Sequence, residues 1–140
     1  MEFIATLTCA LFAGAALYIN LVEHPARMSG GTELAVTEWI PSYQRATRMQ
    51  APLAVIGFVS AIIAWLSGGG ATWLVGGILL GLVVPFTLMV IKPTNQRLMS
   101  AELDKRSDEA RALLDKWSAR HTVRTGLSLL ALVLFIAAKG

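Results

Sequence analysis

Charge is scarce in this chain: 15% of its 140 residues are Asp, Glu, Lys or Arg, where soluble domains carry about a quarter. That shortage excludes an ordinary water-soluble domain. Cysteine is scarcer still. Cys9 stands alone inside an apolar segment, so it makes no internal disulfide or metal motif, reads as helix packing, and leaves the compartment undefined. The sequence has no glycine-rich phosphate loop ahead of a helix, no H-E-x-x-H, no C-x-x-C and no G-x-S-x-G. No pair of acids lies within an apolar run, as a proton pump would need, and no internal repeat of the transporter kind is visible.

What is abundant is apolar. Hydrophobic residues make up 55% of the chain and its mean hydropathy is +0.61, the composition of an all-α, multi-pass membrane protein with the lipid bilayer as its solvent. A single integral membrane domain over residues 1–140 is expected. The net charge of +3 and pI near 9.4 do not point to nucleic acid, because the basic residues flank apolar runs and are interleaved with acids.

Four spans are predicted, over about residues 3–22, 49–66, 71–91 and 123–138. The first is about 30 Å long as a helix, enough to cross the hydrocarbon core. The only early charge is the acid Glu2, so a cleavable signal peptide is not expected. Ala10 and Gly14 in this span form a small-xxx-small pair suited to close approach of another helix. Asn20 and His24 lie four apart near its end, and Pro25 is expected to stop the helix just after the histidine.

The connection after Gly30-Gly31 carries Val36, Trp39, Ile40 and Tyr43 at helical spacing. It predicts an interfacial helix with Trp39 and Tyr43 at headgroup level, kinked or restarted at Pro41. S-G-G-G at residues 67–70 predicts a tight turn that makes spans two and three an antiparallel hairpin. In the third span Gly77 and Gly81 offer a close-packing face, and Pro85 leaves the Gly81 carbonyl without its helical donor, which predicts a kink. K-P-T-N-Q-R-L, from Lys92 to Leu98, predicts a break, with Thr94 or Asn95 capping the next helix.

After that break Met99, Leu103, Ala110, Leu114 and Trp117 form one apolar stripe, as on a long amphipathic helix. Its polar face is expected to be solvated, supported by spacings such as Lys105 to Glu109 and Arg111 to Asp115. His121 and Arg124 continue the apolar stripe and put an imidazole and a guanidinium where the period asks for apolar residues. The stretch from Thr125 to Ala138 has no charge, so both groups are expected at the mouth of the membrane-buried bundle. The two long connections hold every Lys and Arg except Lys139, an asymmetry that predicts cytoplasmic connections and non-cytoplasmic termini. Asn20, His24, Tyr43, Asn95, His121 and Arg124 then share one end of the bundle.

Each of these residues also fits a plainer role. His24 at a helix end can satisfy local carbonyls, and Arg124 one turn inside a span can snorkel to the interface. Trp117 and Tyr43 can be interface aromatics, and Asn95 a cap. Against these stands the placement of the only two histidines at one depth. A pocket with two histidines, an arginine, an asparagine and aromatics suits acid–base work on a hydrophobic phenolic or quinone-like molecule, with imidazole as base and guanidinium and amide as oxyanion partners.

E-H-P-A-R (His24, Pro25), W-I-P-S-Y-Q-R (Tyr43, Arg45), P-T-N-Q-R-L (Pro93, Asn95, Leu98) and W-S-A-R-H-T-V-R (Trp117, His121, Arg124) occur in this order along the chain. Over nearly its whole length the sequence resembles the anthrone oxygenase-like family of small membrane proteins. The resemblance implies a four-helix membrane bundle and, by analogy with the characterised members, conversion of an anthrone to an anthraquinone in polyketide pathways without an added cofactor.

Three readings remain open on sequence. In the first the protein is an oxidoreductase on an anthrone-like substrate, with His24, His121, Arg124 and Asn95 as catalytic residues and Asn20, Tyr43 and Trp117 binding substrate in an enclosed pocket. In the second, His24 and His121 are paired ligands to haem or a metal, each needing a hydrogen-bonded partner behind it. In the third the chain is a non-catalytic subunit, in a homo-oligomer or with another membrane protein, and its small-residue stripes face outward.

Overall fold

The computed structural model describes residues 1–140 as an all-helical chain without strands. Four helices are long and apolar enough to cross a membrane: α1 (Glu2–Ser29), α2 (Thr32–Gly69), α3 (Ala71–Leu98) and α4 (Asp108–Ala137). They pack as an antiparallel square in which α1 and α3 each lie between α2 and α4. Both termini and the turn of residues 67–70 share one end, where Lys139 lies over the Phe3 ring. At the opposite end Arg106 pairs with Glu33 across the two long connections.

The turns are set by glycine. Gly31, Gly68 and Gly70 have φ of 93°, 94° and 82°, a region that side chains with a Cβ avoid. Within the bundle Gly77 lies against Ala61 and Gly81 against Phe58, the expected close packing of α3 on α2. Gly14 has open space around it, so the Ala10–Gly14 pair is not used to pack α1 inside this chain. The outer surface is Leu7, Leu11, Val59, Leu130 and Val133, all exposed, as a lipid-facing surface should be.

The helices are longer than a bilayer requires. The 38 residues of α2 would measure about 57 Å at the α-helical rise, against about 30 Å of hydrocarbon. Proline does not shorten them. Pro25 and Pro93, expected to end or break their helices, are instead carried inside α1 and α3 by π-helical turns at Ile19–Glu23 and Thr87–Ile91. In each turn the residue before proline donates to a carbonyl five back, His24 to Ile19 and Lys92 to Thr87. The wider turn makes room for the proline ring. Arg120 then donates to the Val90 carbonyl at 2.8 Å and to Thr94 Oγ at 3.0 Å. Pro41 and Pro52 also lie inside α2 without ending it. Leu82, three residues before Pro85, keeps helical backbone angles (φ −63°, ψ −21°), and its N–H still donates to the Ile78 carbonyl at 2.9 Å.

The amphipathic helix begins later than its stripe suggested. Residues 99–107 are turns, and α4 starts at Asp108, where Ser107 Oγ accepts from the Ala110 N–H at 3.1 Å. Met99 and Leu103 are therefore off the helix, although Leu103 is still buried. Glu109 pairs with Arg97 at 2.7 Å rather than with Lys105.

Two apolar cores result. A deeper one joins Cys9, Phe12, Ala61, Trp73, Leu80 and Phe135. A second, nearer the long connections, joins Ile19, Trp39, Ile91, Leu98, Leu114 and Trp117. Trp39, expected at headgroup level, is fully buried there and stacks on Tyr43 with ring centres 4.8 Å apart. The second core closes over the polar residues, which therefore lie between two cores rather than at an open mouth.

Candidate active site

The α4 stripe runs as predicted from Ala110 through Leu114, Trp117, His121 and Arg124, all buried, and on to Ser128, Ala131 and Phe135. His121 is 1% exposed and Arg124 9%, so Arg124 does not snorkel. Arg124 Nη2 donates to Gln50 Oε1 at 3.1 Å, and its guanidinium lies 5.5 Å from the Phe12 ring centre. No carboxylate lies within ion-pair distance of it. A guanidinium this far from water without a counter-anion is poised to attract one.

The π-helical turn of α1 aims Asn20 at α4. The Thr122 hydroxyl donates to the Ser118 carbonyl at 2.9 Å, so its oxygen accepts from Asn20 Nδ2 at 3.0 Å. That turns Asn20 Oδ1 toward His121 Nδ1, 3.0 Å away, and toward the Thr125 hydroxyl, which donates to it. Oδ1 has no proton to give, so in the neutral ring Nδ1 carries the hydrogen and Nε2 the lone pair. His121 Nε2 is buried and has no hydrogen-bond partner in the protein.

A polar cavity between α1, α2 and α4 is lined by Arg27, Ser42, Tyr43, Gln50, Trp117, His121 and Arg124 among others. Its volume is about 10 Å³, the space of a single water. The enclosed pocket expected for a whole polycyclic molecule is thus not present. A larger space of about 450 Å³ is an apolar groove between α2 and α3, lined by Ala54, Phe58, Ile78, Gly81, Val84 and Pro85 among others. Ala54 lies one helical turn from Gln50, and both are buried.

Of the predicted site residues, His121, Arg124, Tyr43 and Trp117 meet at the cavity, and Asn20 joins them through His121. His24 and Asn95 do not line it. His24 packs on Trp117, ring centres 5.4 Å apart, while His121 stacks on the same indole at 4.9 Å. His24 has no side-chain hydrogen bond, so the partner that a ligand histidine needs is present for His121 alone. No three His, Cys, Asp or Glu side chains stand together as a metal-binding set. Asn95 is not a cap: it lies inside α3, 1% exposed, with neither amide atom hydrogen-bonded.

Among the cavity residues not singled out from sequence are Arg27, Ser42 and Gln50. Gln50 gave a signal, as a polar residue heading an apolar run, and Arg27 stands four residues after Glu23. Arg27 is 5% exposed. It lies 2.9 Å from Glu23 and 2.6 Å from Glu38, and donates to Ser42 Oγ at 3.2 Å.

The sequence profile of the anthrone oxygenase family matches residues 39–134, a stretch holding α4 down to Leu134, Gln50 and most of the cavity. The chain belongs to the anthrone oxygenase family. It is also 24% identical to the anthrone oxygenase tpcL of Aspergillus fumigatus, over 93% of this chain and 87% of that protein. No solved structure matches it significantly. Family membership and the four apolar helices together make this a multi-pass membrane protein with an oxygenase-like role.

Proposed function

We propose that this anthrone oxygenase family member oxygenates a hydrophobic phenolic or polycyclic, anthrone-like substrate drawn from the bilayer, using its own side chains and molecular oxygen. The observation that carries the reading is the pairing of Asn20 with His121, which leaves Nε2 unprotonated and without a partner on a ring that lines a cavity with Arg124 and Gln50. In an anthrone the reacting carbon is a CH₂ between two aromatic rings, opposite a carbonyl. His121 Nε2 removes one of its protons, and the electron pair moves to the carbonyl oxygen. Arg124 and the Gln50 amide, which has an unpartnered Nε2, stabilise the resulting oxyanion. Oxygen then bonds to the carbon. The O–O bond breaks as the second C–H proton is lost, leaving a quinone carbonyl and one water, so the atoms balance.

A water-sized cavity does not take a tricyclic body. Tyr43 and Ala46, both half-buried in its wall, are the residues that must give way. The α2–α3 groove, which begins one turn from Gln50, supplies the apolar surface on which the rings are held. His24 supports Trp117 as a positioning residue. The distribution of basic residues supports an orientation with both termini away from the cytoplasm.

The test is oxygen uptake by detergent-purified protein given an anthrone. Turnover that His121→Ala lowers about 10²- to 10⁴-fold, as expected for loss of a general base, supports the reading. Equal turnover in wild type and variant sinks it.

A further inference from the structure

The ion cluster around the buried Arg27, beside the cavity, has no role in the chemistry above. Arg27 sits between Glu23 on its own helix and Glu38 on α2, and both Arg27 and Ser42 line the cavity. A guanidinium is costly to bury and is not needed there for folding if apolar residues could replace it. The cluster's hydrogen bonds have a direction. Ser42 Oγ accepts from Arg27 Nη2 and donates to Glu23 Oε1. Its second lone pair is left for a donor, and Ser42 lines the same cavity as His121. That cavity has room for one water between polar walls. The carboxylates lead outward, since the side chain of Glu23 is 26% exposed and that of Glu38 42%.

We infer that Glu23, acting through Ser42 and one cavity water, is the proton connection between His121 and the outside of the bundle. This rests on His121 being the base of the proposed reaction. A proton on His121 Nε2 passes to the water, which gives one of its own to Ser42 Oγ, whose original proton goes to the Glu23 carboxylate. Only N–H and O–H bonds change. The groups that bias the transfer are Arg27 and Glu38 around Glu23, and Arg124, His24 and Arg27 around His121. Arg27 is a positioning residue here: it holds the serine oxygen and the Glu23 carboxylate at one nitrogen.

The net reaction, CH₂ plus O₂ giving C=O plus H₂O, releases no proton. A blocked relay therefore leaves oxygenation possible, because His121 can hand the proton straight to the reduced oxygen. What a blocked relay stops is exchange with solvent. The experiment is anaerobic incubation of the purified protein with an anthrone in D₂O, following deuterium at the CH₂ carbon by mass spectrometry, beside oxygen uptake in air. In wild type the exchange exceeds the uncatalysed rate and is lost in His121→Ala. Ser42→Ala and Glu23→Gln each lower the ratio of exchange to oxygen uptake by about tenfold or more, modest for loss of a positioned proton carrier. Ser42→Thr keeps the hydroxyl and restores it. An unchanged ratio in Ser42→Ala and Glu23→Gln overturns the relay while leaving the base intact. A wild type that neither exchanges nor takes up oxygen overturns the base assignment and the relay together.

Discussion

Asn20 is the residue on which the proposed chemistry most depends without touching a substrate. In Asn20→Ala three hydrogen bonds vanish, but the loss is smaller than their sum. Thr122 keeps its bond to the Ser118 carbonyl, and Thr125 has the His121 carbonyl within 3.2 Å. His121 Nδ1–H alone is left without a partner, which costs about 1–3 kcal/mol of stability for one buried group. The catalytic effect is separate. A net preference of about 0.5–1.5 kcal/mol from one hydrogen bond holds the tautomer, and its loss changes the ratio of the two tautomers about 2- to 10-fold, since 1.4 kcal/mol is a factor of ten, which takes an otherwise even pair back to a mixture and lowers the share of rings with a free Nε2 up to about twofold. Turnover should fall by that amount, well short of the effect of His121→Ala. The assay is oxygen uptake together with ¹⁵N imidazole NMR, which is simple here because the chain has only two histidines. Wild-type His121 should show hydrogen on Nδ1, and Asn20→Ala a mixture. A wild-type ring protonated at Nε2, or turnover unaffected by Asn20→Ala, would refute the reasoning.

Arg124→Met should lower turnover about 10²- to 10³-fold by removing an oxyanion partner, while thermal stability in detergent stays level or rises, because a buried cation without a carboxylate is removed. A loss of stability in step with activity would assign Arg124 to folding instead. Gly76→Ala puts a methyl 2.6 Å from the Phe135 ring, which is fully buried and stacked on Trp73. The overpacking should destabilise by about 1–3 kcal/mol, whereas Gly14→Ala, with nothing within 4 Å, should stabilise by about 0.5–1 kcal/mol. Denaturation in mixed micelles reads both, and equal effects would contradict the packing of α3 on α4. Cys9, buried with its thiol 3.5 Å from the Ser128 carbonyl, should resist a membrane-permeable maleimide until the bundle is unfolded; rapid labelling of the native protein would show α1 to be loose.

The sequence alone determined the class, the four apolar helices, the glycine turns and the stripe on α4, because these depend on composition and on the 3.6-residue period, which are local. His121 and Arg124 stood out as polar intruders in that period, and Trp117 as its aromatic member. The tertiary structure decided the rest. Pro25 and Pro93 read as stops because the local rule counts a lost hydrogen bond; packing from neighbouring helices keeps both helices going through π turns. Trp39 and Tyr43 read as interface aromatics because a sequence cannot show that the two rings stack in a second core between the helices. Ser42 looked ordinary, and Gln50 and Arg27 gave only local signals, since what matters about all three is which side chains from other helices they meet. The tautomer of His121 depends on Asn20, 101 residues away, and a hydrogen bond between helices leaves no trace in the period of either one.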